Sequence, residues 1–317
     1  MKDSIKGIVL FGPACSASMK EDICKSLNLN SENAVFSEFS DGEKWLKLKV
    51  NIRERRVYIV QPTPQPDSNW IWLLEMIDAA RRASAEKIIV ISPYFGYARQ
   101  DRKDQPRVAI TCKIKTNSIQ QNGTNRIIIM DPHFSQIQGF FDIPCDLLYG
   151  SRVFQKQINF SHIDTVIACD TGAVKIAVSY KETLGTNFGV FVKMRVKHNQ
   201  VEKMFLALEN ENIENHNVLI VDEMIDTGNT LVKGVDILYY QKKVKKIECA
   251  ITHGILSGNV IDKINNSPIE TLYLLDTIKI PEKKLIPKIK IIRSGYLFAE
   301  VIKRVDDKGS LSSLMEG

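Results

Sequence analysis

Short aliphatic and β-branched runs recur along the chain between longer amphipathic stretches, and this rhythm restricts the fold more than any other feature. In the first half the runs are Val57 to Val60, Lys87 to Ser92 and Arg126 to Met130. In the second half they are Thr165 to Ala168, Val190 to Val192, Val218 to Val221, Ile247 to Thr252, Thr271 to Leu275 and Ile289 to Ile292. A strand apolar on both faces of its pleat needs cover on both sides, which is the situation of parallel strands between layers of helices. Between the first two runs, Trp70, Leu73, Leu74, Ile77 and Ala80 repeat at helical spacing and predict a helix over Trp70 to Ala83 that packs on the sheet. The pattern reads as an α/β protein.

A chain of 317 residues exceeds the size at which one hydrophobic core keeps growing, so two domains are expected. The strand and helix alternation is similar in both halves, which places their meeting near residue 150 and makes each a mostly parallel sheet flanked by helices. Ligands are then expected beyond the carboxyl ends of the strands, where loops present backbone groups. The polar tail from Asp306 to Gly317 is expected at the surface.

Composition excludes several classes. With 44% hydrophobic and 25% charged residues, the chain has the material for real cores and does not read as disordered. The formal charge of +6 suits phosphorylated small molecules and, less specifically, nucleic acid. Its basic residues fall in mixed stretches, such as Lys242, Lys243, Lys245 and Lys246, that read as solvated faces, so nucleic acid is not expected as a partner. The six cysteines show no paired metal-ligand spacing and read as reduced core thiols. No apolar run approaches the length of a membrane span and no secretory leader pattern opens the chain, which predicts a cytoplasmic protein with no membrane partner.

The most informative stretch follows Val218 to Val221. That run ends in Asp222 and Glu223, and Met224, Ile225, Asp226, Thr227, Gly228, Asn229 and Thr230 lead to a helix expected to start at about Leu231. Amides at a helix N-terminus, threonine hydroxyls and a permissive glycine suit a phosphate. Carboxylates beside it repel phosphate but accept hydrogen bonds from hydroxyl groups, so the pairing suits a sugar phosphate. Helix capping by Asp226 or Thr227 is the plainer reading and accounts for one such residue, not for the whole run.

This segment resembles the phosphoribosyl-binding loop of phosphoribosyltransferases and ribose-phosphate pyrophosphokinases. Phe39 to Glu43, Pro93 to Lys103, and His133 followed by Gln136 to Asp142 resemble the pyrophosphokinase family in particular, as do Thr252 to Gly254, Leu256 to Gly258, Asp276 and Thr277. The resemblance runs in order along nearly the whole chain. It implies two phosphoribosyltransferase-like domains, 1–149 and 150–295, with 296–317 folding back on the first. The implied reaction moves the pyrophosphoryl group of ATP to ribose 5-phosphate, giving phosphoribosyl pyrophosphate and AMP for nucleotide biosynthesis.

The resemblance also assigns residues. Phe39, Asp41, Gly42 and Glu43, on a loop given by a neighbouring subunit, and Arg99 with Gln100 would bind ATP. His133 and Asp170 would hold Mg2+. Lys193 and Arg195 would be catalytic, Arg195 also touching ribose 5-phosphate, on a basic stretch that includes Lys197 and His198. Asp222, Glu223, Asp226, Thr227, Gly228, Asn229 and Thr230 would bind the sugar phosphate. A homo-oligomer, commonly a hexamer, is implied because a shared ATP site is incomplete in a monomer.

Several positions depart from the family pattern: Pro132 and Phe134 beside His133, Thr171 and Ala173 after Asp170, Ile176, Glu223, and a phosphate-turn glycine one place early as Gly228. These departures leave two alternatives, a regulatory paralogue without full catalysis and a phosphoribosyltransferase that would consume the same product.

Overall fold

The computed structural model describes residues 5–29, 33–194 and 203–315. Along the first part of the chain, β1 (Ile8–Phe11) leads to α1 (Ala17–Leu27), the hairpin β2 (Ala34–Glu38) and β3 (Lys44–Leu48), then β4 (Arg56–Val60) and α2 (Ser68–Arg82). Next come β5 (Lys87–Ser92), α3 (Thr111–Gln121), β6 (Arg126–Met130), β7 (Cys145–Leu148) and α4 (Gly150–Gln157). The chain continues through β8 (Thr165–Ala168), α5 (Val174–Leu184), β9 (Asn187–Met194), β10 (Lys203–Leu208), β11 (Asn217–Ile225) and α6 (Asn229–Asp236). The remainder is β12 (Lys246–Gly254), α7 (Val260–Asn265), β13 (Thr271–Leu275), β14 (Ile289–Ile292), α8 (Gly295–Asp306) and α9 (Ser312–Met315).

Two compact units result, one of Met1–Tyr149, Asp276–Lys279 and Arg293–Glu316, the other of Gly150–Leu275 and Ile280–Ile292. In the first unit five parallel strands pair in the order β1-β4-β5-β6-β7, and β2 with β3 forms a separate antiparallel pair. Val57, Tyr58, Ile59 and Val60 are fully buried, so consecutive side chains on opposite faces of the pleat both meet cover. Each such apolar side chain contributes about 1.5–3 kcal/mol of transfer free energy, which is why these runs are apolar throughout.

The hairpin β2–β3 was not foreseen. Its side chains alternate between partly buried and exposed. Phe36 meets the ring of Trp72 edge-on at 5.3 Å, while Val35 and Trp45 stay exposed. Strands β1, β7 and β10 were also missed, being short or, for β10, at a sheet edge with a half-polar pattern.

Within the first unit, α8 lies against α1 at close range. A Cβ at Gly295 would stand 2.8 Å from the Met19 carbonyl oxygen and 2.6 Å from the Asp22 Cβ, so glycine is required for the approach. Buried Asp276 secures the same region: its carboxylate accepts from Ser18 Oγ at 2.6 Å and from the Ser294 amide and hydroxyl at 2.8 and 2.6 Å, while its carbonyl accepts from Ser16 Oγ at 3.0 Å. A buried charge met by this many donors avoids the large penalty of an unpaired one.

The second unit holds seven strands in the order β10-β9-β8-β11-β12-β13-β14, all parallel except for β10, which runs antiparallel to β9. Its core gathers Ile167, Val218, Ile220, Ile247, Cys249, Ile251, Leu272 and Leu274 from the sheet with Leu231, Val235, Val260 and Ile264 from the helices. The fold class agrees with the α/β reading. Among the described residues no helix is long and apolar enough to cross a membrane.

The loop after β5 tests how closely this packing is constrained. The Gly96 amide donates to Thr63 Oγ1 at 2.9 Å, and a Cβ on Gly96 would lie 2.2 Å from the Thr63 carbonyl oxygen, a backbone atom that cannot swing aside. Gly96→Ala is expected to destabilise the protein by about 1–3 kcal/mol, as overpacking does elsewhere. A urea denaturation midpoint equal to that of the wild type would show that the loop relaxes freely.

Candidate active site

The site in the second unit arises from unequal strand lengths. Register pairs Ala168, the last residue of β8, with Val190 of β9 and Val221 of β11, yet β9 continues to Met194 and β11 to Ile225. Both neighbours overrun β8 by four residues, roughly 13 Å of extended chain, and leave a notch in the carboxyl edge of the sheet.

Asp170 begins the turn that fills this notch. Its Oδ1 accepts from the Gly172 amide at 2.8 Å and caps a 3-10 turn, Thr171–Ala173, ahead of α5. That is ordinary N-capping for one oxygen. The other, Oδ2, lies 3.5 Å from Lys193 Nζ, and neither side chain is fully buried. Lys193 reaches this position because it stands three residues beyond Val190, on the overrunning part of β9. Arg195, Lys197 and His198 lie outside the described residues.

On the other side of the notch, Asp222 and Glu223 follow Val221. The strand does not end at Val221, as expected from the break in its apolar run. It pairs with β12 through Asp222↔Ile251, Met224↔His253 and Ile225↔Gly254, because ladder hydrogen bonds with a buried neighbour outweigh the polar side chains. Burial, then the charge and hydrogen bond of Glu223 and the charge of Asp170, hold the Asp222 carboxyl well above the usual carboxylate range. The Cys169 thiol donates to it in partial compensation, and its own acidity is suppressed first by burial and then by Asp222. Like charges this close disfavour ionisation of both carboxyls at once.

The turn Asp226-Thr227-Gly228 leads straight into α6. The helix starts at Asn229 rather than about Leu231, since Gly228, at φ 70°, supplies the left-handed bend that admits the earlier start. A Cβ at Gly228 would also fall 2.7 Å from Val260 Cγ2. The N-cap position of this helix is Gly228, which has no side chain to offer the first amides of the helix. Thr227 and Asn229 are exposed and Thr230 is partly buried. Lys263, which sequence reasoning passed over, donates to the Thr227 carbonyl at 3.1 Å and to Asn229 Oδ1 at 2.7 Å. No local pattern signals it, because it stands 34 residues from Asn229 and meets it only through the packing of α7.

In the first unit the remaining candidates occupy two kinds of place. Phe39, Asp41, Gly42 and Glu43 form the tip of the β2–β3 hairpin, closed by Phe39 N to Glu43 O at 2.8 Å, Gly42 N to Phe39 O at 2.9 Å and Glu43 N to Asp41 Oδ1 at 3.0 Å. Gly42 has φ 95°, which a side chain would oppose, and the Phe39 ring is 55% exposed although nothing in a tight turn requires an aromatic residue. Arg99 and Gln100, both exposed, follow β5, and exposed His133 follows the adjacent β6, so they share the carboxyl edge of that sheet. The Gln100 side-chain oxygen accepts from Thr111 Oγ1 at 2.6 Å and its amide donates to the Tyr97 carbonyl at 3.0 Å.

Three of the departures from the family pattern, Phe134, Thr171 and Ala173, have local explanations. Phe134 packs its ring against Phe140 at 5.3 Å and onto the core of the first unit. Thr171 and Ala173 build the 3-10 turn under Asp170, with Ala173 buried. Ile176 is partly buried on α5.

This architecture, with a phosphate-type turn at the carboxyl edge of a parallel sheet, is that of a phosphoribosyl-binding enzyme. Residues 149–266 match the phosphoribosyl transferase domain, and residues 8–123 match the N-terminal domain of ribose phosphate pyrophosphokinase. The ribose-phosphate pyrophosphokinase of Rhodopirellula baltica is 36% identical over 315 residues, covering 98% of this chain and 99% of its own. That of Campylobacter jejuni is 39% identical over 313 residues, with the same coverage. Ribose-phosphate pyrophosphokinase A of Dictyostelium discoideum is 40% identical over 319 residues, covering 99% of this chain and 98% of its own. The crystal structure of phosphoribosylpyrophosphate synthetase from Mycobacterium smegmatis superposes with a TM-score of 0.86 at 27% identity, covering 96% of this chain and all of that one. The chain belongs to the ribose-phosphate pyrophosphokinase family.

The raised Asp222 carboxyl has a consequence for stability in the absence of ligand. Folding retains a proton that the unfolded chain releases near its ordinary carboxylate range, so the native state binds more protons and stability falls as pH rises above about 4. Asp222→Asn removes that penalty, and its stability relative to wild type is expected to be greater at pH 8 than at pH 4. Parallel urea titrations check the sign, and an equal difference at both pH values would contradict a retained proton.

Proposed function

We propose that this enzyme transfers the pyrophosphoryl group of ATP to ribose 5-phosphate, with the second unit gripping the sugar phosphate and the first unit holding the nucleotide. The observation that carries the residue assignment is the notch beside β8, which sets Lys193 at 3.5 Å from Asp170 between the acids of β11 and the strand that bears the lysine. The phosphate of the sugar sits on Thr227, Gly228, Asn229 and Thr230, and Asp222, Glu223 and Asp226 face its hydroxyl groups. A sugar hydroxyl attacks the β-phosphorus of ATP and forms the new P–O bond. The bond from that phosphorus to the oxygen bridging the α-phosphate breaks, AMP departs with the bonding pair, and the hydroxyl proton passes to base or water.

There is little covalent chemistry for the protein in such a step, so the rate comes from alignment and from neutralising charge on the phosphate oxygens. Lys193, with Arg195, supplies positive charge where negative charge develops, and its pairing with Asp170 aims the ammonium before substrate arrives. Phe39, Asp41, Gly42 and Glu43 from a neighbouring subunit, with Arg99 and Gln100, bind ATP. The exposed aromatic at the hairpin tip supports this arrangement and the homo-oligomer, a hexamer by family resemblance, that it requires.

Magnesium fits the donors present. One oxygen of Asp170 is occupied by Gly172 and the other is partly accessible, His133 is exposed, and among the described residues no three His, Cys, Asp or Glu side chains form a cage. That set suits an ion delivered with ATP and completed by phosphate oxygens and water. When bound, it neutralises charge on the phosphates. The family's reaction and the free thiols fit a cytoplasmic enzyme.

Purified protein incubated with ATP, magnesium and ribose 5-phosphate is expected to form AMP and phosphoribosyl pyrophosphate in equal amounts. Chelation by EDTA abolishes product and added magnesium restores it. Lys193→Ala should lower kcat about 100-fold to 1000-fold with little change in the KM for ribose 5-phosphate. A variant as fast as wild type would remove Lys193 from catalysis.

A further inference from the structure

The phosphate turn is held from beneath by the segment that follows β12. The amides of Ile255 and Leu256 donate to the Ile225 carbonyl at 2.9 and 3.1 Å, and the Ser257 amide donates to the Asp226 carbonyl at 3.0 Å. Lys263 Nζ takes the next carbonyl, that of Thr227, at 3.1 Å, and the Val232 amide takes the one after, that of Gly228, at 3.0 Å. Four consecutive carbonyl oxygens, from Ile225 to Gly228, therefore each have a donor. An anion site needs this arrangement, because any carbonyl turned into the cup would repel phosphate where the helix amides attract it.

Lys263 does a second thing. Its Nζ is 2.7 Å from Asn229 Oδ1, and an ammonium group only donates, so the amide of Asn229 is oriented with its oxygen toward Lys263 and its NH2 group turned away. At the first position of α6 this side chain thus offers a donor to an approaching anion. Val260, one helical turn before Lys263, fills the space beside Gly228, so α7 reaches the turn by an apolar contact and a polar one on the same face.

We propose that Lys263 is a positioning residue for ribose 5-phosphate: its ammonium holds the Thr227 carbonyl and the Asn229 side-chain oxygen out of the cup, so that the turn meets the sugar phosphate with donors alone. This rests on the reading of Thr227 to Thr230 as the phosphate site. It differs from a purely structural brace, which would support α7 and leave sugar binding untouched.

Calorimetric titration with ribose 5-phosphate and steady-state kinetics on wild type, Lys263→Met and Lys263→Arg separate these roles. Lys263→Met is expected to weaken ribose 5-phosphate binding and raise its KM about tenfold, in line with losing one charge-assisted hydrogen-bonding group, while the KM for ATP and kcat move less than about twofold. Lys263→Arg, which still donates to both oxygens, returns binding to within about threefold of wild type. Equal binding by wild type and Lys263→Met overturns the inference, as does an equal loss in both KM values and kcat. Should Lys263→Met fail to fold, Asn229→Asp decides, since it keeps an acceptor for Lys263 and replaces the offered donor by a charged oxygen. Weakening of at least about tenfold at an unchanged urea midpoint is expected there, and unchanged binding overturns the inference. No binding by the wild type itself would instead overturn the phosphate-site reading on which the inference stands.

Discussion

A mismatch in strand length governs the second unit. Parallel strands of equal length would present a level edge, with their loops side by side and their terminal side chains separated. Here β8 stops four residues before β9 and β11, and the gap lets side chains from three segments converge on the space above Ala168. The hydrogen-bonded register fixes the depth of this notch, so Lys193, Asp170 and Asp222 owe their proximity to backbone pairing more than to their own attraction. A partly solvated ion pair at 3.5 Å contributes little to stability, and its importance here lies in where it directs the lysine.

The same edge concentrates unfavourable electrostatics. Asp222 stands beside Glu223 and near Asp170, and the Cys169 thiol, the Glu223 backbone amide and, at Asp170, the Lys193 ammonium offset part of the repulsion. The sugar-phosphate site proposed here would ask for this juxtaposition, because acids that accept from hydroxyl groups would have to stand close to a pocket for an anion. The protein separates the two by geometry. Asp222 and Glu223 lie on the extended end of β11, whereas the proposed phosphate turn is bent by Gly228 into the start of α6, and the carbonyls from Ile225 to Gly228 each have a donor from within the unit.

The first unit uses comparable means for a different task. Its loops after β5 and β6 emerge from adjacent strands, and Gly96 is pressed against the Thr63 backbone three residues before Arg99. Asp276 and its serine donors secure the crossing of distant segments, which lets α8 lie against α1 and complete the unit from both ends of the chain.

Much of this was legible in the residues themselves. The inner strands β4, β5, β6, β8 and β13 announced themselves because burial on both faces demands unbroken apolar runs, the edge strand β14 did so as well, and the bounds of five of these six, β5, β6, β8, β13 and β14, follow directly from those runs. The turn proposed for phosphate stood out in the sequence because its glycine, threonines and acids are contiguous. What escaped local reading depends on neighbours. The hairpin β2–β3 and the edge strands β1, β7 and β10 lack the signature of two-sided cover, and β11 continues past Val221 only because β12 lies alongside to pair with Asp222 and Ile225. The juxtaposition of Asp170 with Lys193, the enclosure of Asp222 that raises its carboxyl above the usual range and the grip of Lys263 on Asn229 likewise belong to tertiary structure. Composition and periodicity determine which segments become the strands covered on both faces and where the glycine-containing turn falls, since those are local matters of burial and backbone freedom. Distances between side chains remote in sequence are set by register and packing, and only the folded chain decides them.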